Sequence, residues 1–171
     1  MHLRCYEVRA DVGAVVSNVS TVKAISDAIQ LGMPLIERVV SVTGECVKAP
    51  GNYLIKIGTS CAEVLEHCGG VPEGKTLLAV QTGGASGAII NAEQIDMSLD
   101  IDNVSASGGR LACGTIMVYS DDNCIVDILC NNLDFFREES CGKCTPCREG
   151  GTQLYFMVRR IADGKGSVKD L

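Results

Sequence analysis

The pattern of apolar and polar positions first predicts a helix. Between residues 17 and 34, apolar side chains recur at intervals of three and four, as on one face of a helix. They are Val22, Ile25, Ala28, Ile29 and Leu31. Ser17, Asn18 or Ser20 is predicted to cap its start, and Gly32 with Pro34 to end it. Before this helix, the apolar run at residues 12–16 is compatible with a strand.

Residues 35–120 predict β structure with one short helix. Four stretches are rich in β-branched side chains and are predicted as strands. They are residues 36–44, 53–57, 77–80 and 115–119. The first ends in a glycine turn at Gly44, with Cys46 and Val47 continuing after it, and a second turn is predicted at Pro50–Asn52. Thr59 or Ser60 is predicted to cap a short helix that closes at Gly69 and Gly70. A hairpin followed by a helix and another strand is the start of a β-grasp domain.

Residues 121–164 predict two helices around a cysteine-rich loop. The first is predicted to start at Asp121–Asn123, and its apolar face is more consistent with core packing than with a cofactor site. That face comprises Ile125, Ile128, Leu129, Leu133 and Phe136. The second is predicted to have Thr145 as N-cap and Pro146 at its first position, and to end at Asp163. Residues 165–171 are polar and are predicted to be frayed. The fold class is therefore α+β.

Two segments that resemble ligand sites have simpler explanations. The glycine-rich loop Gln81–Gly87 follows a predicted strand, but it matches neither a Walker loop nor a dinucleotide fingerprint. A tight turn explains its glycines. Asp96, Asp100 and Asp102 lack the spacing of an EF-hand, so a solvated acidic loop is predicted.

Composition excludes several classes of function. The chain has 171 residues and a net charge of −6, which argues against nucleic-acid binding. It has no apolar run near the length of a membrane span, and its first residues do not resemble a signal peptide. Its ten cysteines are below the density of disulfide scaffolds, which favours reduced thiols in the cytoplasm.

The chemistry concentrates in Cys141, Cys144 and Cys147, which have C-x-x-C-x-x-C spacing. Gly142 lets the backbone bend between the first two, and the helix predicted from Pro146 favours a thiolate at Cys147. Lys143 and Arg148 flank the cysteines and favour thiolates too. Three thiols so close together favour an iron–sulfur cluster. A zinc site and a purely structural run remain open, since zinc also accepts thiolates.

The longer string ESCGKCTPCREG, with Cys124–Asp127 and Phe135-Phe136 before it, resembles the flavin-carrying NADH-binding subunit of respiratory complex I. It is equally similar to the matching subunit of NAD-dependent iron-only hydrogenases and formate dehydrogenases. The resemblance implies that Cys141, Cys144 and Cys147 are ligands of a [4Fe–4S] cluster. The family's fourth cysteine ligand lies further downstream than Leu171. The chain is therefore expected to be an internal piece of a larger subunit.

A second stretch carries the same resemblance. Arg38–Gly44 through Cys68–Gly70 looks like the soluble-ligand-binding β-grasp (SLBB) module of this family and of the C subunit of Rnf electron-transport complexes. The expected organisation is a flavin-domain tail and linker helix at residues 1–34, the β-grasp domain at 35–120 and a truncated helical iron–sulfur domain at 121–171. The bundle's further helices are missing, so exposed apolar helix faces are expected.

The resemblance also implies a function. It implies electron transfer from NADH and FMN, bound on the missing N-terminal flavin domain, to the cluster and on to partner subunits. Those partners would be a thioredoxin-like [2Fe–2S] subunit and a large iron–sulfur subunit, in the cytoplasm or on the cytoplasmic face of the inner membrane. Asn18 and Thr21 match the family's FMN-phosphate segment. The chain alone is expected to be inactive towards NADH.

One alternative function follows from the residues themselves. The β-grasp part would bind a small ligand or a partner subunit, and the cysteine site would be empty or hold structural zinc. In the zinc case a further thiol such as Cys124 would complete the site.

Overall fold

The computed structural model describes residue 13, residues 15–106 and residues 113–170. The apolar run at residues 12–16 lies partly outside the described residues. The chain divides into two units, Met1–Glu37 and Arg38–Leu171. In the first unit, α1 spans Val19–Leu31, and the Asn18 side chain caps it by accepting a hydrogen bond from the Ser20 N–H at 2.9 Å. The predicted first helix is confirmed.

The second unit is built on a five-stranded mixed sheet. The strands are β1 (Glu37–Thr43), β2 (Gly51–Lys56), β3 (Leu77–Thr82), β4 (Ile89–Asn91) and β5 (Thr115–Ser120). Their order is β2-β1-β5-β3-β4, with β1 parallel to β5 and β3 antiparallel to both β5 and β4. A five-stranded sheet in this order, with the parallel pair β1 and β5 at its centre, is a β-grasp sheet, as the sequence predicts.

A short helix closes the core on one face of the sheet. Helix α2 (Cys61–His67) begins with a capping box, in which Ser60 and Glu63 satisfy each other's backbone N–H groups. Val64 of this helix is 1% exposed and packs in the same buried cluster as residues from all five strands. Those strand residues include Val40, Ile55, Val80, Ile90 and Val118. The predicted Ser60 cap is confirmed.

Several predicted boundaries in the β region are wrong. β1 ends at Thr43, and the predicted glycine turn is present at Gly44 with φ +122°, but Cys46 and Val47 do not continue the strand. Gly51 and Asn52 belong to β2, although the sequence predicts a turn there. The short strand β4 was not predicted.

The predicted acidic loop contains a helix. Helix α3 spans Ile101–Ala106, and the Asp100 carboxylate accepts hydrogen bonds from the Asn103 backbone N–H at 2.8 Å and its side-chain amide at 2.6 Å. These bonds hold the pKa of Asp100 below its usual value. Asp100 therefore organises the start of a short helix. The glycine-rich segment after β3 is a tight turn, as predicted, with a 3₁₀ turn at Gly84–Ser86.

Two helices follow the sheet. Helix α4 spans Ile125–Glu139, a π-helical turn spans Pro146–Gly150, and α5 spans Gly151–Ala162. Helix α4 starts later than the predicted Asp121–Asn123, because the Asn123 side chain instead accepts a hydrogen bond from the Ser120 N–H at 2.9 Å. Helices α4 and α5 pack against each other, and the Arg137 guanidinium lies 4.6 Å from the centre of the Tyr155 ring.

The segment after α5 is ordered by hydrogen bonds, so the predicted fraying is wrong for residues 165–170. A 3₁₀ turn spans Val168–Asp170. The Asp170 carboxylate accepts hydrogen bonds from the backbone and hydroxyl of Ser167 and pairs with Arg160. The expected apolar exposure on the two helices is present, with Phe135, Phe136, Leu154 and Phe156 each 42–52% exposed. Among the described residues, no helix is long and apolar enough to cross a membrane.

Candidate metal centre

The three cysteines lie on the connection between α4 and the π-helical turn. Helix α4 ends at Glu139, and Ser140 continues in an extended conformation. Gly142 then adopts φ +74°, a left-handed conformation that glycine takes at little cost. This bend between Cys141 and Cys144 is the one that the sequence predicts. It allows the loop to reverse direction within a few residues of the helix end.

The Ser140 hydroxyl is the polar centre of this loop. Its Oγ accepts a hydrogen bond from the Gly142 N–H at 3.3 Å. The same Oγ lies 3.4 Å from the Sγ of Cys147. One hydroxyl group therefore connects the end of α4, the bend at Gly142 and the third cysteine. Ser140 is not predicted from the sequence as a site residue, since only the folded loop brings it to Cys147.

Arg148 also stabilises the loop through hydrogen bonds. Its Nη1 donates to the Gly142 carbonyl oxygen at 2.6 Å, and its Nε donates to Glu149 at 2.9 Å. Its backbone N–H donates to the Cys144 carbonyl oxygen at 3.0 Å. The Arg148 guanidinium thus links the helical turn to the Gly142 bend. The sequence predicts only that its positive charge favours thiolates.

The predicted N-cap at Thr145 is wrong. Thr145 has helical dihedrals, φ −54° and ψ −44°, and its side chain makes no capping hydrogen bond. The turn starts earlier, since the Arg148 N–H already bonds to Cys144. Cys147 lies in the second position of the π-helical turn, not in a regular first α-helical turn. Pi-helical turns inside helices occur frequently at functional sites.

The donor set of the loop fits an iron–sulfur cluster. Cys141, Cys144 and Cys147 are all exposed and free of disulfide bonds, so their sulfur atoms are accessible to iron. Thiolate sulfur is the ligand that iron–sulfur clusters use, and the Ser140 hydroxyl adds a hydrogen-bond partner beside one sulfur. In the described part of the chain, no three His, Cys, Asp or Glu side chains lie close enough together to hold a metal ion. The side chains of the three loop cysteines therefore do not yet converge on one point.

Most of the other described cysteines are less suited to bind metal. Four of them are buried: Cys46, Cys61, Cys68 and Cys130. Burial raises the pKa of each of these thiols, for Cys61 to about 11, which disfavours the thiolate that metals bind. Cys113 and Cys124 are exposed. Cys124, the extra thiol of the zinc alternative, is the N-cap of α4.

The predicted FMN contacts lie in the first unit. Asn18 and Thr21 are both exposed at the start of α1. The Asn18 Oδ1 is occupied by the Ser20 N–H as the helix cap. Their role towards flavin stays a prediction.

The chain matches two protein-family models. Residues 39–89 match the SLBB domain. Residues 127–171 match the NADH-ubiquinone oxidoreductase-F iron-sulfur binding region, and this second match includes all three cysteines of the loop.

Similar whole proteins agree with the domain matches. The F subunit of NADH-quinone oxidoreductase in Mycobacterium bovis is 31% identical over 167 residues, which cover 92% of this chain and 37% of that protein. The HndC subunit of the NADP-reducing hydrogenase in Solidesulfovibrio fructosivorans is 37% identical over 135 residues, covering 78% of this chain and 27% of that protein. The chain thus spans about a third of the length of the relatives it matches.

A solved structure shows the same fold. The NAD+-reducing [NiFe]-hydrogenase in its air-oxidized state contains a chain that superposes with a TM-score of 0.77 at 30% identity. The match covers 92% of this chain and 28% of the hydrogenase chain.

The β-grasp sheet and the cysteine-bearing helical pair therefore define an SLBB-containing iron–sulfur protein. The chain belongs to the family that includes the F subunit of NADH-quinone oxidoreductase and the related subunits of NAD(P)-linked hydrogenases. These matches confirm the predicted α+β fold and support the predicted [4Fe–4S] cofactor. Its relatives are subunits of multisubunit complexes.

Proposed function

We propose that this chain carries electrons within an NADH:acceptor oxidoreductase subunit, through a [4Fe–4S] cluster held by Cys141, Cys144 and Cys147. One observation carries the proposal. Three exposed, unpaired thiols, three residues apart, lie on a single loop inside the region that matches an iron–sulfur binding family. A fourth ligand would come from elsewhere in the intact subunit.

The residues of the loop have distinct tasks in this proposal. The cluster, when bound, supplies a one-electron carrier. Gly142 bends the backbone so that Cys141 and Cys144 can serve one centre, and Arg148 fixes that bend through the Gly142 carbonyl oxygen. The packing of α4 against α5 holds the two ends of the loop near each other.

The source and destination of the electrons follow from the relatives. Those proteins are named as subunits of an NADH-quinone oxidoreductase and of an NADP-reducing hydrogenase. We propose that NADH reduces FMN on a flavin-binding part of the intact subunit, with Asn18 and Thr21 near the FMN phosphate, and that FMN reduces the cluster. The electrons would then pass to a thioredoxin-like [2Fe–2S] subunit and a large iron–sulfur subunit, in the cytoplasm or on the cytoplasmic face of the inner membrane.

Cysteine substitutions test the proposed ligands. The full chain is reconstituted anaerobically with iron and sulfide, and bound iron, sulfide and zinc are measured in Cys141→Ala, Cys144→Ala and Cys147→Ala. Each variant is expected to lose most of the bound iron, because each removes one of the three thiolates that this chain supplies to the cluster.

Two other exposed cysteines give matched controls. Cys113→Ala and Cys124→Ala also remove an exposed thiol and are expected to keep the iron of the unsubstituted chain. Loss of metal from Cys124→Ala, with zinc and no sulfide in the unsubstituted chain, would instead identify the structural zinc site. Iron retained by all three loop variants would refute the ligand assignment.

A further inference from the structure

The Ser140 hydroxyl has one proton to donate, and the hydrogen-bond partners around it determine which group accepts that proton. The Gly142 N–H donates to the Ser140 Oγ at 3.3 Å. That contact uses a lone pair of the oxygen and leaves the hydroxyl proton free, since a serine hydroxyl has one donor and two acceptor positions. The remaining close partner on the loop is the Sγ of Cys147, at 3.4 Å.

Cluster binding would fix the direction of the second contact. In the free chain, either the Cys147 thiol or the Ser140 hydroxyl can be the donor. A cysteine sulfur that binds iron has lost its proton and can only accept. The Ser140 O–H must then donate to the Cys147 sulfur, and the Gly142 N–H holds the hydroxyl oxygen in place for it.

We propose that Ser140 is a positioning residue that donates a hydrogen bond to the Cys147 sulfur of the bound cluster and raises the cluster's reduction potential. This inference rests on the proposed function, since it requires Cys147 to be a ligand. Reduction adds negative charge to the cluster and its sulfur ligands, and a hydrogen-bond donor stabilises that charge. Hydrogen bonds to the sulfurs are among the factors that set the potentials of such clusters.

Ser140 also has a part in the shape of the loop. It follows the last residue of α4, so its contacts anchor both the Gly142 bend and Cys147 to the end of that helix. The first and third cysteines are six residues apart, and the same hydroxyl contacts the residue after the first and the sulfur of the third. Loss of the hydroxyl therefore affects the bend even before a cluster binds.

Three variants of the full chain test this inference. Ser140→Ala removes the hydroxyl, Ser140→Thr keeps it, and Thr145→Val removes a different hydroxyl from the same loop, one that makes no capping hydrogen bond. Iron content and the midpoint potential, from an anaerobic redox titration followed by EPR, are measured in each reconstituted protein. Exchange of the Gly142 amide proton is measured by NMR in each cluster-free chain.

The expected results distinguish the hydrogen bond from Ser140 to the Cys147 sulfur from the role of Ser140 in the shape of the loop. Ser140→Ala is expected to keep its iron and to show a more negative midpoint potential, while Ser140→Thr and Thr145→Val stay close to the unsubstituted chain. In the cluster-free chain, Ser140→Ala is expected to speed Gly142 exchange about fivefold, the effect of losing one ordinary hydrogen bond. An unchanged potential in an iron-loaded Ser140→Ala protein would overturn the inference.

Failure of the proposed function would look different. Iron that survives loss of Cys147 would refute the ligand assignment and the inference with it. If Ser140→Ala is the one variant that fails to hold iron, the exchange rate of the Gly142 amide proton in the cluster-free chain is the deciding measurement. Faster exchange in Ser140→Ala alone supports the positioning role of Ser140. An unchanged exchange rate overturns it.

Discussion

The side-chain nitrogen of Gln81 lies 3.4 Å from the Oδ1 of Asn132, across the junction between strand β3 and helix α4. Gln81 is 1% exposed. The same nitrogen donates to the Gly84 carbonyl oxygen at 2.9 Å, and the Tyr119 hydroxyl donates to the Gln81 Oε1 at 2.9 Å. A buried amide thus links the β-grasp sheet, the glycine-rich turn and the first helix of the cysteine-bearing pair.

Gln81→Ala is predicted to lower the free energy of unfolding by about 2–4 kcal/mol. The substitution removes the side-chain hydrogen bonds of Gln81 with the Gly84 carbonyl oxygen and the Tyr119 hydroxyl, and it opens a cavity beside α4. Urea denaturation followed by circular dichroism measures the loss. Tyr119→Phe removes only one hydrogen bond of the network and is predicted to cost about 1 kcal/mol. Equal losses in the two variants would contradict the central role given to Gln81.

Gly44→Ala is predicted to destabilise the chain by about 3 kcal/mol or more. A methyl group there would approach the Val118 carbonyl oxygen to 2.1 Å, at a backbone φ of +122° that side-chain-bearing residues rarely adopt. Gly74→Ala is the matched control, since Gly74 has φ +80° but nothing within 4 Å of the added carbon. The control is predicted to cost only about 1–2 kcal/mol from backbone strain. Urea midpoints that fall by similar amounts would show that the contact with Val118 is unimportant.

The buried thiol of Cys61 is predicted to make the chain less stable at alkaline pH. Burial raises its pKa from an ordinary value of 9.0 to about 11. The folded state keeps the proton where the unfolded state loses it, so this stability is present below pH 9 and is lost as the pH rises to about 11. The loss is up to about 3 kcal/mol, from about 1.4 kcal/mol per pH unit.

Urea denaturation at a series of pH values measures this dependence. Cys61→Ala lacks the thiol and is predicted to lose less stability between pH 8 and pH 11 than the unsubstituted chain. Cys124→Ala, which removes an exposed thiol, is predicted to retain the full dependence. A Cys61→Ala curve parallel to that of the unsubstituted chain would contradict the prediction.

Arg148→Ala is predicted to speed the loss of iron from the reconstituted chain by up to about tenfold. The substitution removes the donor that holds the Gly142 carbonyl oxygen at 2.6 Å, and hydrogen bonds from charged groups are worth about 1.5–3 kcal/mol when sheltered and less when exposed. The rate is read from visible absorbance after addition of a chelator. Lys143→Ala removes a positive charge from the same loop without removing that donor, and its rate is predicted to change little. Equal acceleration by both variants would assign the effect to charge alone.

Much of the fold follows from local sequence signals. Ser60 and the two glycines after α2 mark that helix because capping and left-handed turns depend on residues close in sequence. Strand β4 has only three residues, too few to show a pattern of alternation. Helix α3 has six residues and follows closely spaced aspartates, so composition suggested a loop where the Asp100 side chain in fact caps a helix.

Some features of the candidate site can likewise be predicted from the sequence, and others depend on the folded loop. The spacing of the three cysteines and the bend at Gly142 are visible in the sequence. The contact between Ser140 and Cys147 depends on the left-handed conformation of Gly142 and on the start of the helical turn at Cys144, before the predicted cap at Thr145. Those features depend on how the loop closes between α4 and α5, which no spacing rule describes.

The most direct test of the account is the metal and sulfide content of the full chain after anaerobic reconstitution, read together with its visible spectrum and its EPR spectrum after reduction. The account predicts about four iron atoms and four labile sulfides per chain and the EPR signal of a reduced [4Fe–4S] cluster, all lost when Cys141, Cys144 and Cys147 are replaced together by Ala. About one zinc per chain without sulfide, or iron that binds equally well after that triple replacement, would contradict it.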